Sequence, residues 1–415
     1  MAITEHDTIS SAIKAENYYQ KIKKNNPDFK LILGNEIYLC RNGLSKDNFI
    51  KGKDKYYHFI LLAKDAIGHE QIRELSTKAW LRSYTQRKIV RVPTYYSDII
   101  EIIGKNPGHV IGSSACLGGS LPTQLLRYKD NNDLVLYQKI ITWCTQMESV
   151  FGKGNFYLEM QPSNNMEQIY VNKELLKISE KLGIPYIITT DSHYLKKEDR
   201  PIHKAFLQSQ EGDREVDDFY TTTYLMDTEE ILNYFSYFTE EQLETAFNNI
   251  KTIKEKCENY SLKKPLKIPR LKWKEPSFIS DNERKEWFKR IPNLLKFYTS
   301  TYSEDKRLAE IIIDIVRVSP YFCNEETYNE INLCLEDIWI SSEANNARWS
   351  AYLLNLQNIV DCCWDAGSMV GVGRGSGVGF LLLHVLGITQ INPLKEKTKT
   401  YRFRFLNPKR VSPLD

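Results

Sequence analysis

Short apolar runs alternate with amphipathic helical segments along the first half of the chain, and this alternation restricts the fold more than any other feature. The runs lie at residues 31–33, 37–39, 56–63, 110–111, 156–160 and 185–190, and helical periodicity separates them at residues 71–83, 134–150 and 172–181. Parallel strands need crossover connections, usually helices, so this order predicts an α/β fold with parallel strands. The number of strand–helix units before any long break favours a β/α barrel over an open sheet.

The alternation stops near residue 260, and a second region follows it. Residues 261–282 contain Pro265, Pro269 and Pro276 and are predicted to form a linker. Beyond it, helical periodicity at residues 303–318, 328–339 and 348–366 leads into a glycine-dense loop. The sequence therefore predicts a first domain at residues 1–260 and a second, mostly helical domain at residues 283–415.

The composition is that of a globular protein in a reducing compartment. Hydrophobic residues make up 42% and charged residues 26% of the sequence, and no run of about 18 apolar residues predicts a membrane span. The eight cysteines form no CxxC pair, and no charged-then-apolar leader opens the chain, so we expect reduced thiols and a cytoplasmic location. The net charge of +3 says little, but the basic stretch at residues 395–410 fits either nucleic acid or a solvated surface.

Side chains that can bind a metal follow or lie within several of the apolar runs. They are His6, which follows a further short run at residues 2–4, and Glu36, His58, Cys116, Asp191 and His193. In a β/α barrel the carboxyl ends of the strands meet at one mouth, where catalytic residues collect. Carboxylate, imidazole and thiolate groups that meet there predict a transition-metal site, with Zn²⁺ as the preferred ion. Any one of these residues alone is more commonly a core residue, so the prediction depends on their shared position.

A glycine-dense loop at residues 370–379 precedes an apolar helical segment at residues 380–386. Glycines let the backbone approach an anion, and the free N–H groups of a helix start attract phosphate, so the loop is a candidate triphosphate cradle. It lacks the Lys-Ser/Thr pair of a Walker A loop and the strand and acidic residue of a dinucleotide fingerprint. The alternative is a tight turn that packs two helices together.

Several segments of the first domain resemble successive motifs of the PHP (polymerase and histidinol phosphatase) domain. They are residues 2–6 (AITEH), 34–38 (GNEIY), 57–63 (YHFILLA), 115–119 (ACLGG) and 190–194 (TDSHY). The resemblance implies a distorted β/α barrel, seven-stranded in the family, with the first strand missing or incomplete here.

The PHP resemblance also implies a metal site and an activity. The implied ligands are His6, Glu36, His58, Cys116, Asp191 and His193, which would hold Zn²⁺ or Mn²⁺. In some family members such a site hydrolyses phosphodiesters as a 3′–5′ exonuclease. The sequence has no His-x-His motif, and Glu5 stands where the family usually has aspartate. We therefore expect either a weakened metal site or a structural barrel.

The second domain resembles the palm entry of C-family, bacterial-type replicative DNA polymerases. The resemblance covers residues 373–376 (GRGS), 386–394 (LGITQINPL) and 404–412 (RFLNPKRVS). It implies that the phosphates of an incoming nucleotide are bound by Gly373, Arg374, Gly375, Ser376 and Arg404. It also implies that Asp415 is the first of the aspartates that bind catalytic Mg²⁺. The second and third aspartates are absent from the sequence, so we expect the chain alone to be unable to extend a primer.

The sequence as a whole predicts a fragment of a DNA-directed DNA polymerase. Its partners would be a DNA primer–template, deoxynucleoside triphosphates, the remaining polymerase fragment and other replisome subunits, and no membrane is involved. Two alternatives remain open. One is a free-standing metal-dependent PHP phosphoesterase, and the other is a non-catalytic DNA-binding or assembly module.

Overall fold

The computed structural model describes residues 1–40, 55–86, 89–211, 218–264, 267–269, 279–398 and 400–407. The chain divides into two compact units, Met1–Lys263 and Lys264–Asp415. The predicted linker at residues 261–282 lies partly outside the described residues. All strands of the described part belong to the first unit.

Nine strands occur in the described part of the first unit. They are β1 (Ala2–Ile3), β2 (Ile32–Cys40), β3 (Tyr56–Ala63), β4 (Tyr84–Gln86), β5 (Ile89–Arg91), β6 (Pro93–Thr94), β7 (Val110–Ser113), β8 (Phe156–Met160) and β9 (Tyr186–Ile188). The larger sheet has the order β1-β2-β3-β7-β8-β9, with β6 beside β2, while β4 and β5 pair separately. The two apolar runs at residues 31–33 and 37–39 are parts of one strand, β2.

The direction of β3 departs from the prediction of parallel strands. The ladders β1–β2, β7–β8 and β8–β9 are parallel, but β3 runs antiparallel to both β2 and β7. Apolar runs mark where a strand lies and not which way it points, so the all-parallel prediction is wrong at β3. The reversal places the beginning of β3, rather than its end, beside the carboxyl half of β2.

Helices of the first unit lie between and around these strands. They are α1 (Ala12–Ile22), α2 (Ala66–Leu81), α3 (Tyr96–Ile99), α4 (Ser120–Asn131), α5 (Leu134–Phe151), α6 (Met166–Leu182), α7 (Arg200–Glu211), α8 (Thr228–Asn233) and α9 (Glu240–Lys256). Side-chain oxygens of Asp65, Asp133 and Asn165 accept hydrogen bonds from free N–H groups at the starts of α2, α5 and α6. The α1 N-cap is Ser11, whose side chain makes no capping hydrogen bond.

Stacked aromatic rings form the centre of the first core. The Phe59 ring on β3 lies 5.7 Å from the Phe151 ring and 6.2 Å from the Phe156 ring, measured between centroids. All three side chains are buried, and each such burial stabilises the fold by about 1.5–3 kcal/mol. Gly112 on β7 fits this packing because a Cβ there would lie 2.7 Å from the Phe151 ring. The core thus fixes β3 and β7, which carry or precede candidate site residues.

The described part of the second unit is helical. Its helices are α10 (Asp281–Arg290), α11 (Asn293–Tyr298), α12 (Ser303–Val318), α13 (Glu325–Asn345), α14 (Trp349–Asp365) and α15 (Leu381–Val385), with 3₁₀ turns at Pro320–Phe322, Gly375–Gly379 and Arg402–Arg404. Ile312, Ile331 and Leu353 from three of these helices are buried in one core. Across the described ranges, no helix combines the length and apolar character needed to cross a membrane.

Candidate functional site

A parallel ladder places His6 beside Glu36. β1 pairs with the start of β2, and the pairing continues to an isolated bridge between His6 and Glu36. The Glu36 N–H donates to Glu5 O at 3.0 Å, and the Asp7 N–H donates to Glu36 O at 2.9 Å. Backbone hydrogen bonds on both sides therefore hold His6 next to a side chain of the neighbouring strand.

His58 reaches the same region because β3 is antiparallel. His58 lies opposite Tyr38, near the carboxyl end of β2, and its N–H donates to Gly118 O at 3.0 Å. The loop that contains Gly118 also carries Cys116, whose Sγ lies 3.5 Å from His58 Nδ1. A Cβ on Gly118 would lie 3.2 Å from the His58 ring, so a small residue lets the loop lie close to the imidazole.

His6, Glu36 and His58 form a three-residue cluster of potential metal ligands. Their ligand atoms all lie within 4.8 Å of one another. One Glu36 oxygen lies 3.6 Å from His6 Nδ1, and the other contacts His58 Nδ1 directly. Two imidazoles and one carboxylate form a donor set that suits Zn²⁺ and other transition metals. The geometry of this cluster thus fits a metal ion.

Asp191 and His193 lie next to this cluster. The His193 ring lies 6.0 Å from the His6 ring between centroids. His193 Nδ1 lies 2.7 Å from Asp191 O. When Nδ1–H donates to a carbonyl, Nε2 is left to accept a proton or bind a metal, which is the usual arrangement of a ligating histidine. All six predicted ligands thus lie in one region, and His6, Glu36 and His58 are the three whose ligand atoms all lie within 4.8 Å of one another.

Burial and mutual charge set the protonation of the cluster. Burial lowers the pKa of His6, and the Glu36 carboxylate offsets part of that change. Although burial opposes both effects, the hydrogen bond between them lowers the pKa of Glu36 and raises the pKa of His58. Burial, followed by the Glu36 charge, raises the pKa of Asp191 to about 6. Burial also raises the pKa of the Cys116 thiol. A bound cation would reverse these last two shifts.

Asp7 and Tyr38, which the sequence did not assign to the site, also lie beside the His6–Glu36–His58 cluster. Burial raises the pKa of Asp7 to about 7, and Asp7 Oδ1 has no hydrogen-bond partner among the described residues. The Tyr38 ring stacks on His6 at 5.6 Å. Glu5 instead accepts hydrogen bonds from the backbone and side chain of Ser11 at the start of α1. The position of Asp7 directly after His6 is the one sequence signal that could have indicated its place.

The glycine loop of the second unit is open to solvent. Gly373, Arg374, Gly375 and Ser376 are all exposed. Gly373 has φ 109° and Gly375 has φ 69°, backbone conformations that favour glycine. Nothing lies within 4 Å of the position that a Gly375 Cβ would take. A ligand can therefore approach the backbone at Gly375.

The segment that contains Arg404 packs directly against this loop. A Cβ on Gly379 would lie 3.1 Å from Thr400, and one on Gly377 would lie 3.9 Å from the Phe405 ring. The Phe405 ring lies 5.1 Å from the Phe380 ring, just after the loop. Arg404 is exposed on the same turn. The predicted phosphate-binding residues thus belong to neighbouring segments, whereas Asp415 lies outside the described residues.

Comparisons with known proteins match both units. Residues 1–163 match the family model described as PHP domain, and residues 340–415 match the one described as bacterial DNA polymerase III alpha NTPase domain. The chain thus contains a PHP domain and a segment similar to the NTPase domain of bacterial DNA polymerase III alpha. The predicted α/β PHP-type domain followed by a mostly helical region is confirmed. Asp191 and His193 lie beyond the range matched to the PHP domain.

Curated relatives align with nearly the whole chain. "Probable DNA polymerase YorL" from Bacillus subtilis and "DNA-directed DNA polymerase" from Bacillus phage SPbeta are each 35% identical over 95% of the chain. A DNA polymerase III subunit alpha from Borreliella burgdorferi is 27% identical over 100% of it. In each case the alignment covers 32% of the relative. The chain therefore spans about a third of the length of these curated relatives.

Proposed function

We propose that the chain is the PHP and palm-entry part of a DNA-directed DNA polymerase, and that its second unit binds the triphosphate of a deoxynucleotide. The observation that carries the proposal is the exposed glycine loop packed against the turn that contains Arg404. Backbone N–H groups near Gly375 can point at phosphate oxygens, and a guanidinium can add paired, permanently charged hydrogen bonds. Arg374 and Ser376 supply a second charge and a hydroxyl on the same exposed loop.

The chemistry of strand extension needs more than this binding site. Two-metal phosphoryl transfer uses at least two bridging carboxylates, which would hold Mg²⁺ at the attacking and leaving oxygens. Asp415 is the one such carboxylate that the motif supplies within the 415 residues. We expect no primer extension by this chain alone with Mg²⁺ and deoxynucleotides. Clear incorporation in a gel-based extension assay would contradict this expectation.

Arg404→Ala is expected to weaken binding of a deoxynucleoside triphosphate by about 10- to 100-fold, because a hydrogen bond to a charged group contributes about 1.5–3 kcal/mol. Isothermal titration calorimetry of the full chain measures this change. Arg317→Ala is the matched control, since Arg317 pairs with Asp314 on α12 at 2.8 Å and faces no proposed ligand. Equal binding by wild type and Arg404→Ala would reject the assignment of Arg404.

The first unit is proposed to bind a divalent metal through His6, Glu36 and His58, with Cys116, Asp191 and His193 as neighbouring candidates. When bound, Zn²⁺ or Mn²⁺ would supply an acidified water for phosphodiester hydrolysis, as in a 3′–5′ exonuclease. The Glu36 carboxylate stays ionised between two imidazoles because its pKa is lowered by the contact with His58, against the effect of burial. This placement lets Glu36 orient both rings towards a shared ligand position.

Glu36→Gln is expected to reduce bound Zn²⁺ or Mn²⁺ at least tenfold, because the ligand set loses its charged member. Elemental analysis of purified protein gives the metal content per chain, and the chelator-induced change in melting temperature gives a second readout. Glu70→Gln is the control, because Glu70 is a solvent-exposed partner of Arg73 on α2. Wild-type protein without stoichiometric metal, or Glu36→Gln with undiminished metal, would argue against the site.

A free-standing PHP phosphoesterase is the second candidate function, and the His6–Glu36–His58 cluster is the observation that favours it. Stoichiometric metal together with nuclease turnover, and no nucleotide binding, would support that candidate over the polymerase role. Salt-dependent DNA binding without turnover would instead support a non-catalytic module.

The proposed partners are a primer–template, the remaining part of the polymerase and other replisome subunits. All eight cysteines are free thiols, which fits the proposed cytoplasmic location.

A further inference from the structure

Two exposed aromatic rings lie beside the glycine loop. The Tyr401 and Phe403 side chains are 48% and 55% exposed. Their ring centroids are 5.4 Å apart, with an angle of 36° between the ring planes. A Cβ on Gly379 would lie 3.4 Å from Tyr401 N. The backbone at the start of the aromatic pair therefore packs against the end of the glycine loop.

The turn that carries these rings is anchored to the second unit. Arg402 Nε donates to Asp337 Oδ2 on α13 at 2.7 Å, and Arg402 Nη1 lies 3.8 Å from Glu330 Oε1. Phe405 packs on Phe380, and Leu406 is 4% exposed. The side chains at 402, 405 and 406 therefore hold the turn, whereas those at 401, 403 and 404 face solvent. The exposed rings therefore belong to a turn that side-chain contacts hold against the second unit.

Two exposed arginines lie on the segments that carry the aromatic pair and the glycine loop. Arg404 follows Phe403 and is exposed, and Arg374 is exposed on the adjacent loop. Flat apolar rings beside guanidinium groups match a nucleotide, which carries a π-face and a phosphate on one molecule. An apolar protein partner would bury the rings together with these arginines and remove water from their charges without replacing it. The surface thus favours a nucleotide over a protein partner.

We propose that Tyr401 and Phe403 form a stacking platform for a nucleobase whose phosphate lies on the glycine loop or on the arginines. This inference rests on the proposed nucleotide-binding function and adds the residues that contact the base. A platform of this kind accepts any base, because each base presents a π-face. The base belongs either to a deoxynucleoside triphosphate or to a single DNA strand, which share this chemistry.

The test compares ligands with and without a base, using the full chain. The probes are a short oligothymidylate, an abasic oligomer of the same length and charge, thymidine triphosphate and inorganic triphosphate. Stacking contributes about 5- to 100-fold in affinity per base, so the wild type should prefer each base-containing probe by this factor. Phe403→Ala and Tyr401→Ala should remove the preference, and Phe403→Trp should keep it. Tyr18→Ala is the control, since Tyr18 is 64% exposed on α1.

Each outcome decides a different part of the inference. The wild type could prefer the base-containing probe in one pair only, either thymidine triphosphate over inorganic triphosphate or the oligothymidylate over the abasic oligomer. Either result supports the platform and identifies which source supplies the base. Equal wild-type affinity for base-containing and abasic probes overturns the platform but leaves the phosphate site standing. Loss of preference in a folded Phe403→Trp variant, or self-association that disappears in Phe403→Ala, also overturns it. No binding of any probe rejects the nucleotide-binding function itself.

Discussion

Asp305→Ala is expected to lower the free energy of unfolding of the second unit by about 3–5 kcal/mol, because it removes one partner of a buried ion pair. The Asp305 side chain, in the first turn of α12, is completely buried. Asp305 Oδ2 lies 3.3 Å from Arg348 Nη2 and accepts a hydrogen bond from Ser300 Oγ at 2.7 Å. Asp305 Oδ1 accepts another from Ser350 Oγ at 2.6 Å. Alanine would leave a buried guanidinium without this ion-pair partner and two hydroxyls without their common acceptor.

A second carboxylate on the same arginine provides the control. Glu343 Oε1 lies 2.7 Å from Arg348 Nη1, but the Glu343 side chain is 59% exposed. Exposed pairs contribute about 0–1 kcal/mol, so Glu343→Ala should cost no more than that. Urea denaturation followed by tryptophan fluorescence measures both changes. Equal losses for the two variants would show that burial does not determine the contribution of Asp305.

The helix around Asp305 was predictable, but the role of Asp305 was not. Apolar periodicity at residues 303–318 predicts a helix that the structure places at Ser303–Val318. An acidic residue in the first turn of a helix is usually a solvated partner of the helix dipole. Asp305 is buried because Arg348, distant in sequence, pairs with it. Local periodicity specifies helix position, whereas tertiary pairing of polar groups depends on contacts that no local pattern encodes.

The candidate metal site shows the same division between what local sequence predicts and what tertiary contacts decide. The positions of Glu36, Asp191 and His193 in or directly after apolar runs indicated one shared mouth, as expected for parallel strands. His58 lies at the beginning of its strand, and it reaches the cluster because β3 is reversed. Motif order therefore selected candidate residues that lie in one region, but the distances among them depend on strand direction. The structure brings the ligand atoms of three of the six candidates within 4.8 Å of one another, and the other three candidates lie beside them.

Glu159→Gln is expected to stabilise the first unit by about 3 kcal/mol at pH 8 and to have little effect near pH 4, because burial raises the pKa of Glu159 from 4.5 to about 7. In sequence, Glu159 lies within an apolar strand; in the structure its carboxyl group is buried and accepts hydrogen bonds from Ser113 and Thr189. A raised folded-state pKa means that the folded chain binds more protons than the unfolded chain. Wild-type stability is therefore lost as pH rises from about 4.5 to about 7.

Glutamine removes this loss because it does not ionise, while its carbonyl oxygen still accepts one of the two hydroxyl hydrogen bonds. Urea denaturation at several pH values, with a chelator present so that no metal alters the charge near Asp191, gives the stability difference between variant and wild type. Glu255→Gln on α9 removes the same charge from an exposed position and should show no such trend. A difference that is constant from pH 4 to pH 8 would mean that Glu159 stays ionised in the folded protein, with a cation or the two hydroxyl groups compensating for its burial.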